Sequence, residues 1–464
     1  MKKQPTVFQS VLPLITIALF LGVGYGIFRL SAEMLLIGAA FVSGIIVKRL
    51  GYTYKEMEEG IIKSISKGMP AMMIVIIVGT LIGSWIASGT IPMLIFYGLK
   101  IISPKFYLVT ACIVCSIVSV VTGTSYGTAG TVGVALIGVA HGLNIPLPQA
   151  AGAIVAGSYF GDKLSPFSDT TNLAPIAAKS NLFDHIKHML WTTTPAWLIG
   201  LLIYFIIGGG TGNQETSLQI QNIFTGLRDN FNFHIILLLP PLMVFFFAMK
   251  KKPTIPGMLI SAFTATILGL IFQDISLKDS VAAMVTGFKC NTGFEVLDTL
   301  LSRGGMMDMM GPTLIAFCAF AFAGIIQKGG MLDVILDQLM KFARTTGRLV
   351  ASTVASCLTV AVMTGSSFLS ILIPGELFAP AYKKMNLAAK NLSRTTEDSG
   401  TVVMPLIPWS IAGVYMAGTL KVPTADYFMW AFMCYLGFVF ALIYGFTGFA
   451  IAPKIREDET TPGS

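Results

Sequence analysis

Long apolar segments alternate with short polar stretches along almost the whole chain. The clearest apolar segments span about 10–29, 32–47, 69–88, 106–121, 128–140, 148–160 and 190–208 in the first half, and about 233–249, 255–273, 305–326, 348–363, 366–380, 402–419 and 427–450 in the second. A continuous membrane-spanning helix needs about 20 apolar residues, and several of these segments are shorter. The pattern predicts an all-α polytopic membrane protein in which some spans are broken helices or re-entrant hairpins.

The sequence repeats itself at an offset of 242 residues. This offset aligns Met69-Pro70 with Gly311-Pro312 and Thr-Gly-Thr-Ser-Tyr at 122–126 with Thr-Gly-Ser-Ser-Phe at 364–368. The matches at the two ends of this stretch require no net insertion between them. Internal repeats of this kind are typical of secondary transporters, where the two copies lie either parallel or inverted in the membrane.

The charges of the polar stretches favour inverted copies. Residues 48–67 carry five basic side chains, whereas the equivalent 274–304 carries three basic and four acidic ones. The next pair has the opposite bias, with two basic residues in 89–105 and four in 327–348. Because basic loops stay in the cytoplasm, equivalent stretches should lie on opposite sides of the membrane, with both termini cytoplasmic. The predicted organisation is a first inverted repeat at 1–208, an extracellular linker at 209–232, a second inverted repeat at 233–452 and a cytoplasmic tail at 453–464.

The composition agrees with a membrane protein. Of the 464 residues, 54% are hydrophobic and 12% are charged, and this charged fraction is about half that of an ordinary soluble domain. A secreted enzyme, a nucleic-acid-binding protein and a cytosolic two-domain protein are therefore disfavoured, and the lipid bilayer is the expected environment. The net charge of +8 reflects basic residues on the cytoplasmic side. The six cysteines are scattered and predict neither a disulfide framework nor a zinc site.

Two clusters of charged residues lie among the apolar segments. Residues 161–172 read Gly-Asp-Lys-Leu-Ser-Pro-Phe-Ser-Asp-Thr-Thr-Asn, and residues 394–401 read Arg-Thr-Thr-Glu-Asp-Ser-Gly-Thr. Charged groups inside a membrane are costly, and they mostly face a cavity or one another. The predicted ion-coupling carboxylates are Asp162, Asp169, Glu397 and Asp398. Lys163 and Arg394 would then be counter-charges or contacts for an anionic substrate.

Each half also contains an uncharged Gly/Thr/Ser break, at 122–130 and at 364–368. Freed carbonyl and hydroxyl oxygens at such a break can replace the water shell of a small cation, and half-helix N-termini suit a substrate carboxylate. Two such tips meeting near the midplane would form a site that is reachable from either side in turn. The predicted cation- or substrate-binding residues are Thr122, Gly123, Thr124, Ser125, Ser165, Thr170, Thr171, Asn172, Thr364, Gly365, Ser366 and Ser367, with Na+ at Asp162, Ser165 and Asp169.

A carboxylate removed from water can be neutralised by a proton or by Na+, and the two then compete for one group. Alternating exposure of such a group to the two sides of the membrane is antiport. Pro166 lies between Asp162 and Asp169 and predicts a broken helix, which would help both carboxylates face one cavity.

Simpler interpretations stay open. Glu397 and Asp398 follow several basic residues and fit a solvated loop. Residues 161–172 fit an extramembrane loop with an Asp–Lys pair, and the Thr/Gly/Ser breaks fit packing surfaces. His185 and His188 have the spacing of metal ligands, but without a third ligand nearby an interfacial helix face explains them better.

The residues at 161–174, together with Thr-Gly-Thr-Ser at 122–125 and Glu-Asp-Ser-Gly-Thr at 397–401, resemble the NhaC family of bacterial Na+/H+ antiporters. The resemblance covers nearly the whole chain and is nearest to the malate/lactate branch. It implies a bacterial cell-membrane protein with inverted repeats and paired hairpins, which exchanges external malate and protons for internal Na+ and lactate. It supports as site residues Asp162, Ser165, Asp169, Thr170, Thr171, Asn172, Thr124, Ser125, Ser367, Glu397 and Asp398.

The leading hypothesis is a Na+-coupled antiporter, either with malate and lactate as substrates or as a simple Na+/H+ antiporter. Na+ and H+ are then the coupling ions, and no further cofactor is expected. An ion channel would need a continuous pore instead of opposed hairpins. A membrane-embedded enzyme would need a metal or a nucleophile–base pair, and no His lies near the Asp clusters in the sequence. The sequence leaves open whether the protein forms a homodimer.

Overall fold

The structure, a computed structural model, describes residues 2–25, 27–28, 30–208, 215–250 and 252–453. Within these residues the regular structure is helical, apart from one isolated β-bridge between Leu387 and Pro453. The helices of the first half are α1 (Val7–Leu19), α2 (Ala32–Arg49), α3 (Tyr54–Ala87), α4 (Thr90–Ile101), α5 (Tyr107–Thr122), α6 (Ser125–Thr128), α7 (Val134–Gly142), α8 (Leu147–Leu164), α9 (Asp169–Ala178) and α10 (Leu182–Gly208). A π-helical turn, Ala129–Gly133, joins α6 to α7.

The second half repeats this succession of long and short helices. Its helices are α11 (Glu215–Asn230), α12 (Leu239–Met249), α13 (Thr254–Phe272), α14 (Leu277–Thr286), α15 (Glu295–Leu301), α16 (Met310–Lys328), α17 (Met331–Phe342), α18 (Thr346–Thr364), α19 (Ser367–Lys384), α20 (Ala389–Gly400), α21 (Ile411–Leu420), α22 (Thr424–Tyr427) and α23 (Phe432–Thr447). A short 3₁₀ turn, Met404–Leu406, follows α20.

Seven helices in the described part of the chain are long and apolar enough to cross a membrane, and three bent helix pairs could raise the number to ten. The pair formed by Ala389–Leu406 and Ile411–Leu420 bends by 42°. The all-α class with broken helices is therefore confirmed. Fewer continuous spans occur than the apolar content allows, because several apolar segments are divided into short helices.

The repeat seen in the sequence is also a repeat of local structure. The helix starts at Leu147 and Ala389 are 242 residues apart, and α9 (169–178) and α21 (411–420) correspond end to end at the same offset. Both helices end at a lysine in the left-handed region, Lys179 and Lys421, each with φ of 59°. The same turns and breaks therefore follow one another in both halves.

Two pairs of equivalent helices pack against each other in antiparallel fashion. At one end of α3, Glu59 accepts a hydrogen bond from Lys328 of α16 at 3.2 Å. Further along α3, the Gly79 carbonyl accepts from the Gly305 N–H at 2.7 Å, just before α16 begins. The chain order is likewise reversed between α10 and α23, where Trp191 meets Tyr444 and Tyr204 meets Phe432.

The polar stretches are more helical than the sequence suggested. The basic stretch 48–67 is mostly the beginning of α3, and α11 occupies 215–230 of the predicted linker. Lys and Glu are good helix formers, so a run of charge need not end a helix. Residues 209–214 of the predicted linker and 454–464 of the predicted tail lie outside the described residues.

Large apolar side chains cover the outside of the helix bundle. On α10, Leu198, Leu202 and Ile206 are exposed, whereas Thr192 and Thr193 of the same helix are fully buried. An apolar exterior and a polar interior are the arrangement that a lipid environment favours. The buried polar residues are therefore the candidates for a functional site.

Candidate functional site

The first charge cluster lies at a break between two helices. Asp162 and Lys163 stand in the last turn of α8, and α9 begins at Asp169. Ser168 caps α9 by accepting a hydrogen bond from the Thr171 N–H at 3.3 Å. The broken helix that Pro166 predicted is therefore present. It leaves the end of α8 facing the interior of the bundle.

Lys163 joins the two halves of the protein. Its Nζ lies 3.2 Å from Asp162 Oδ2 and 2.7 Å from Glu397 Oε1, and it donates a hydrogen bond to Thr170 Oγ1 at 2.6 Å. The side chains of Lys163 and Glu397 are 1% and 0% exposed. One buried ammonium group therefore compensates carboxylates that come from different halves of the chain.

The first Gly/Thr/Ser tip reaches the same cluster. Ser125 Oγ donates to Asp162 Oδ2 at 3.3 Å. Thr171 Oγ1 donates to the backbone carbonyl of Asp162 at 3.0 Å. The tip after α5, the end of α8 and the start of α9 thus converge on Asp162.

The two tips share one backbone geometry. Gly123 follows α5 with φ of 69°, and Gly365 follows α18 with φ of 63°, which is a conformation that only glycine adopts easily. In each case the next residue caps a new helix: Thr124 accepts from the Gly127 N–H at 3.2 Å, and Ser366 accepts from the Leu369 N–H at 3.4 Å.

Each tip packs against the break of a neighbouring helix pair in its own half. A Cβ on Gly123 would lie 2.6 Å from the Phe167 side chain, and a Cβ on Gly365 would lie 3.3 Å from Ser410. Phe167 lies between α8 and α9, and Ser410 lies between the 3₁₀ turn and α21. In each half, a tip and a helix break therefore meet.

The second charge cluster is buried inside the bundle. Glu397 and Asp398 belong to α20 and are 0% and 1% exposed, so their interpretation as a solvated loop is wrong. Thr192 Oγ1 of α10 donates to Asp398 Oδ1 at 3.0 Å. Arg394 is also fully buried and donates from Nη1 to the Ala450 carbonyl at 2.8 Å.

Several polar atoms of this cluster have no hydrogen-bond partner in the part of the chain that the structure describes. They are Glu397 Oε2, Asp398 Oδ2, and Nε and Nη2 of Arg394. Leaving a buried polar group unpaired costs free energy. Such groups mark a place where an ion, a proton or an anionic group could bind.

Two histidines of α10, which the sequence did not predict as site residues, contact this surface of α20. His185 Nδ1 lies 3.0 Å from Ser393 Oγ, and His188 Nε2 lies 3.0 Å from Asn391 Oδ1. Both rings are buried, so their assignment to an interfacial helix face is wrong. The available signal was the spacing of His185, His188 and Thr192, which places all three on one face of α10.

The remaining candidates occupy other surroundings. Asp169 is exposed in the first turn of α9. Ser165 Oγ donates to the Val120 carbonyl at 2.7 Å, and the Asn172 amide donates to the carbonyls of Pro166 and Ser168 at 2.9 and 2.7 Å. These hydrogen bonds stabilise the turn between α8 and α9. Thr122 and Thr364 each donate a hydroxyl hydrogen bond to a backbone carbonyl of the preceding helical turn. Ser367 is the first residue of α19.

The donor set suits a transported cation better than a resident transition metal. Among the described residues, no group of three His, Cys, Asp or Glu side chains lies close enough to hold a metal ion. Na+ is a hard cation and binds oxygen atoms of carboxylates, hydroxyls and carbonyls. The convergence on Asp162 offers all three kinds of oxygen.

Comparison with known proteins agrees with this chemistry. The model of the Na+/H+ antiporter family matches residues 6–171 and 157–449. The chain is 46% identical over 457 residues to the "uncharacterized Na+/H+ antiporter" of Haemophilus influenzae, covering 97% of this chain and 98% of the other. It is 37% identical to the Na+/H+ antiporter NhaC of Alkalihalophilus pseudofirmus, covering 98% of both chains. It is 35% identical to the malate-2H+/Na+-lactate antiporter of Bacillus subtilis, covering 96% of this chain and 95% of the other. The chain therefore belongs to the Na+/H+ antiporter family, which confirms its resemblance to the NhaC antiporters.

Proposed function

We propose that this protein is a secondary active antiporter that exchanges Na+ for H+ across the bacterial cell membrane by alternating access. The single observation that carries the proposal is buried Lys163, which bridges Asp162 of the first half and Glu397 of the second. Ionisable groups inside a membrane protein mark ion pathways because they are too costly to keep otherwise. The family relationship supports transport rather than catalysis.

The charge balance of the cluster explains how one ion could replace another. Lys163 supplies one positive charge for Asp162 and Glu397, so the three groups together lack one positive charge. Either H+ or Na+ supplies it, and Glu397 Oε2, which has no hydrogen-bond partner among the described residues, is a suitable acceptor. Because the second ion is bound less readily once the first has neutralised the group, loading of one favours release of the other. We infer no cofactor besides these two coupling ions.

We propose that residues 1–208 and 233–452 are inverted repeats. The antiparallel packing of α3 on α16 and of α10 on α23 supports this arrangement, since inverted equivalents run in opposite directions. Rocking of such halves around a fixed site is a common route to alternating access. The two tips and their partner breaks supply the discontinuous backbone that such sites use.

Thiol labelling tests the orientation. In a Cys290→Ser background, Lys63→Cys should react with a membrane-impermeant maleimide only from the cytoplasmic side, and Lys278→Cys only from outside. Both lysines are exposed, and the five other native cysteines are buried. Labelling of both positions from the same side would contradict the inverted arrangement.

Exchange itself is measured in proteoliposomes that contain a pH-sensitive dye. An imposed Na+ gradient should change the internal pH with wild-type protein, and Asp162→Asn or Glu397→Gln should slow this by about tenfold or more. Asp184→Asn is the matched control because Asp184 is exposed on α10. Wild-type rates in both site variants would overturn the assignment of the cluster.

A second version of the function adds malate and lactate as substrates. The similarity to the malate-2H+/Na+-lactate antiporter favours it. Two guanidinium nitrogens of Arg394, which have no hydrogen-bond partner in the described part of the chain, suit a carboxylate. Malate-loaded vesicles should then exchange labelled lactate in a Na+-dependent manner. If neither malate nor lactate affected Na+/H+ exchange, the protein would be a simple Na+/H+ antiporter.

A further inference from the structure

A cavity of about 650 Å³ lies at the ends of two short helices, away from the buried charge cluster. Residues of both halves line it, including His141 in the last turn of α7, Lys421 after α21, and Lys289 and Arg303 from the segment between α14 and α16. Its volume is in the range of pockets that hold small organic ligands. None of these side chains belongs to the site described above.

The lining carries a net positive charge. Lys289, Arg303 and Lys421 contribute three positive charges, and Asp308 is the single carboxylate among the lining residues that the structure describes. Asp308 is already engaged, because its Oδ1 lies 2.6 Å from Lys421 Nζ and its Oδ2 accepts from the Gly304 N–H at 3.2 Å. A balance of about two positive charges remains for a ligand.

Arg303 is fixed in place with bonding capacity to spare. Its Nη2 donates to the Val134 carbonyl at 3.2 Å, which holds the guanidinium against the first half of the chain. Its Nε is buried without a hydrogen-bond partner among the described residues, as is Nδ1 of His141. The planar guanidinium matches the geometry of a carboxylate, and it can use two donors at once.

The other lining residues suit an organic molecule. Hydroxyl groups come from Thr286, Thr299 and Ser302, while Ile137, Leu147, Phe288, Leu300 and Leu420 provide apolar surface. An inorganic anion gains nothing from apolar walls, but a short carbon chain with charged ends does. Net charge, hydroxyls and apolar surface together fit a small hydroxylated dicarboxylate.

A series of contacts connects the helix that ends at the cavity to the buried cluster. Tyr126 of the first tip stacks on Tyr415 of α21 with ring centroids 4.4 Å apart, and the Tyr415 hydroxyl donates to the Tyr126 carbonyl at 2.7 Å. Ser125, which precedes Tyr126, bonds Asp162. Tyr415 lies six residues before Lys421, about 9 Å along the helix.

We propose that this cavity is an anion-binding vestibule in which Arg303 and Lys289 hold the two carboxylates of a small dicarboxylate before it passes the Tyr126–Tyr415 pair. This rests on the proposed function, because it identifies where an organic acid would enter the antiporter. The vestibule is a separate binding step from ion binding at Asp162 and Glu397.

Binding of labelled malate to purified full-length protein in lipid nanodiscs tests the vestibule. Wild-type protein should bind malate saturably, and Lys289→Gln and Arg303→Gln should each weaken binding by about tenfold or more. Lys278→Gln is the matched control, because Lys278 is an exposed lysine of the same polar stretch, 274–304, and does not line the cavity. Unchanged affinity in both cavity variants would overturn the proposal.

The native Cys290 provides a second readout that needs no substitution in the cavity. It is half-buried next to Lys289, and its N–H donates to Ser302 Oγ at 2.9 Å. The five other cysteines are buried. Malate should slow the reaction of a maleimide with Cys290 in wild-type protein, whereas equal protection by inorganic phosphate would contradict a dicarboxylate site.

The vestibule and the proposed function fail in different ways. Absence of Na+/H+ exchange in acid-free wild-type vesicles would overturn the proposed function. Intact exchange without malate binding or protection of Cys290 would overturn the vestibule alone.

Discussion

Replacement of Lys163 by methionine tests the buried charge cluster directly. The change removes an ammonium group that lies 2.7 Å from Glu397 Oε1 and 3.2 Å from Asp162 Oδ2. At an effective dielectric constant of about 20, the Coulomb attraction at these distances is about 6 and about 5 kcal/mol. Desolvation offsets much of this attraction, and loss of one partner from a buried pair lowers the free energy of unfolding by about 3–5 kcal/mol.

A second substitution separates charge from packing. In Lys163→Met with Glu397→Gln, one of the two uncompensated carboxylates becomes a neutral amide of the same shape. The double variant should therefore regain part of the lost stability. The coupling free energy between the two positions should be about 2 kcal/mol, because the two groups are in contact.

Unfolding in mixed micelles with increasing SDS measures these differences. Lys187→Met is the matched control, since Lys187 is exposed on α10 and its replacement should change the free energy of unfolding by about 0.5 kcal/mol or less. If Lys163→Met behaved like this control, or if its effect and that of Glu397→Gln simply added, the idea of one cation shared by two halves would be refuted.

Three further predictions concern the tips and the carboxylates. Gly123→Ala should lower the thermal stability of the purified protein more than Gly365→Ala. Both variants place a side chain in a left-handed conformation, which costs about 1–2 kcal/mol of stability, but the added Cβ lies 2.6 Å from a neighbouring atom at position 123 and 3.3 Å at position 365. Equal losses of stability would contradict this difference in packing. Thr192→Val removes a 3.0 Å hydrogen bond to the buried Asp398 carboxylate and should lower the free energy of unfolding by about 1 kcal/mol. It should also shift the Na+ concentration that gives half-maximal exchange. An unchanged concentration would show that Asp398 takes no part in ion coupling. Asp169→Asn should slow proteoliposome exchange less than Asp162→Asn, since Asp169 is exposed, and the reverse order would move the ion site towards α9.

The backbone of the candidate site was predictable because its causes are local. Gly123 and Gly365 sit where only glycine adopts the required φ easily, and Pro166 cannot continue a helix. The 242-residue repeat of these signals in the sequence becomes a repeat of helix ends in the structure. Patterns that depend on a few adjacent residues can be read without knowing what packs against them.

The partners of the charged groups were not predictable from the same patterns. Lys163 meets Glu397 only after both halves have folded together, and no local rule connects residues so far apart in the chain. The exposure of Asp169 and the burial of His185 depend in the same way on which helix covers which face. Spacing in the sequence did not distinguish Asp162 from Asp169, whereas in the structure Asp162 is buried beside Lys163 and Asp169 is exposed.

The two halves agree in backbone but differ in chemistry. At the offset of the repeat, Asp162 and Lys163 correspond to Met404 and Pro405, and Glu397 corresponds to Val155. The carboxylates therefore come from different positions on equivalent helices, and the second half has no lysine of its own at the place of Lys163. The Lys163 ammonium group is therefore shared between Asp162 of its own half and Glu397 of the other half. Under the proposed alternating access, movement of one half relative to the other would separate Lys163 from Glu397 unless another cation took its place, and this would tie ion binding to the conformational change.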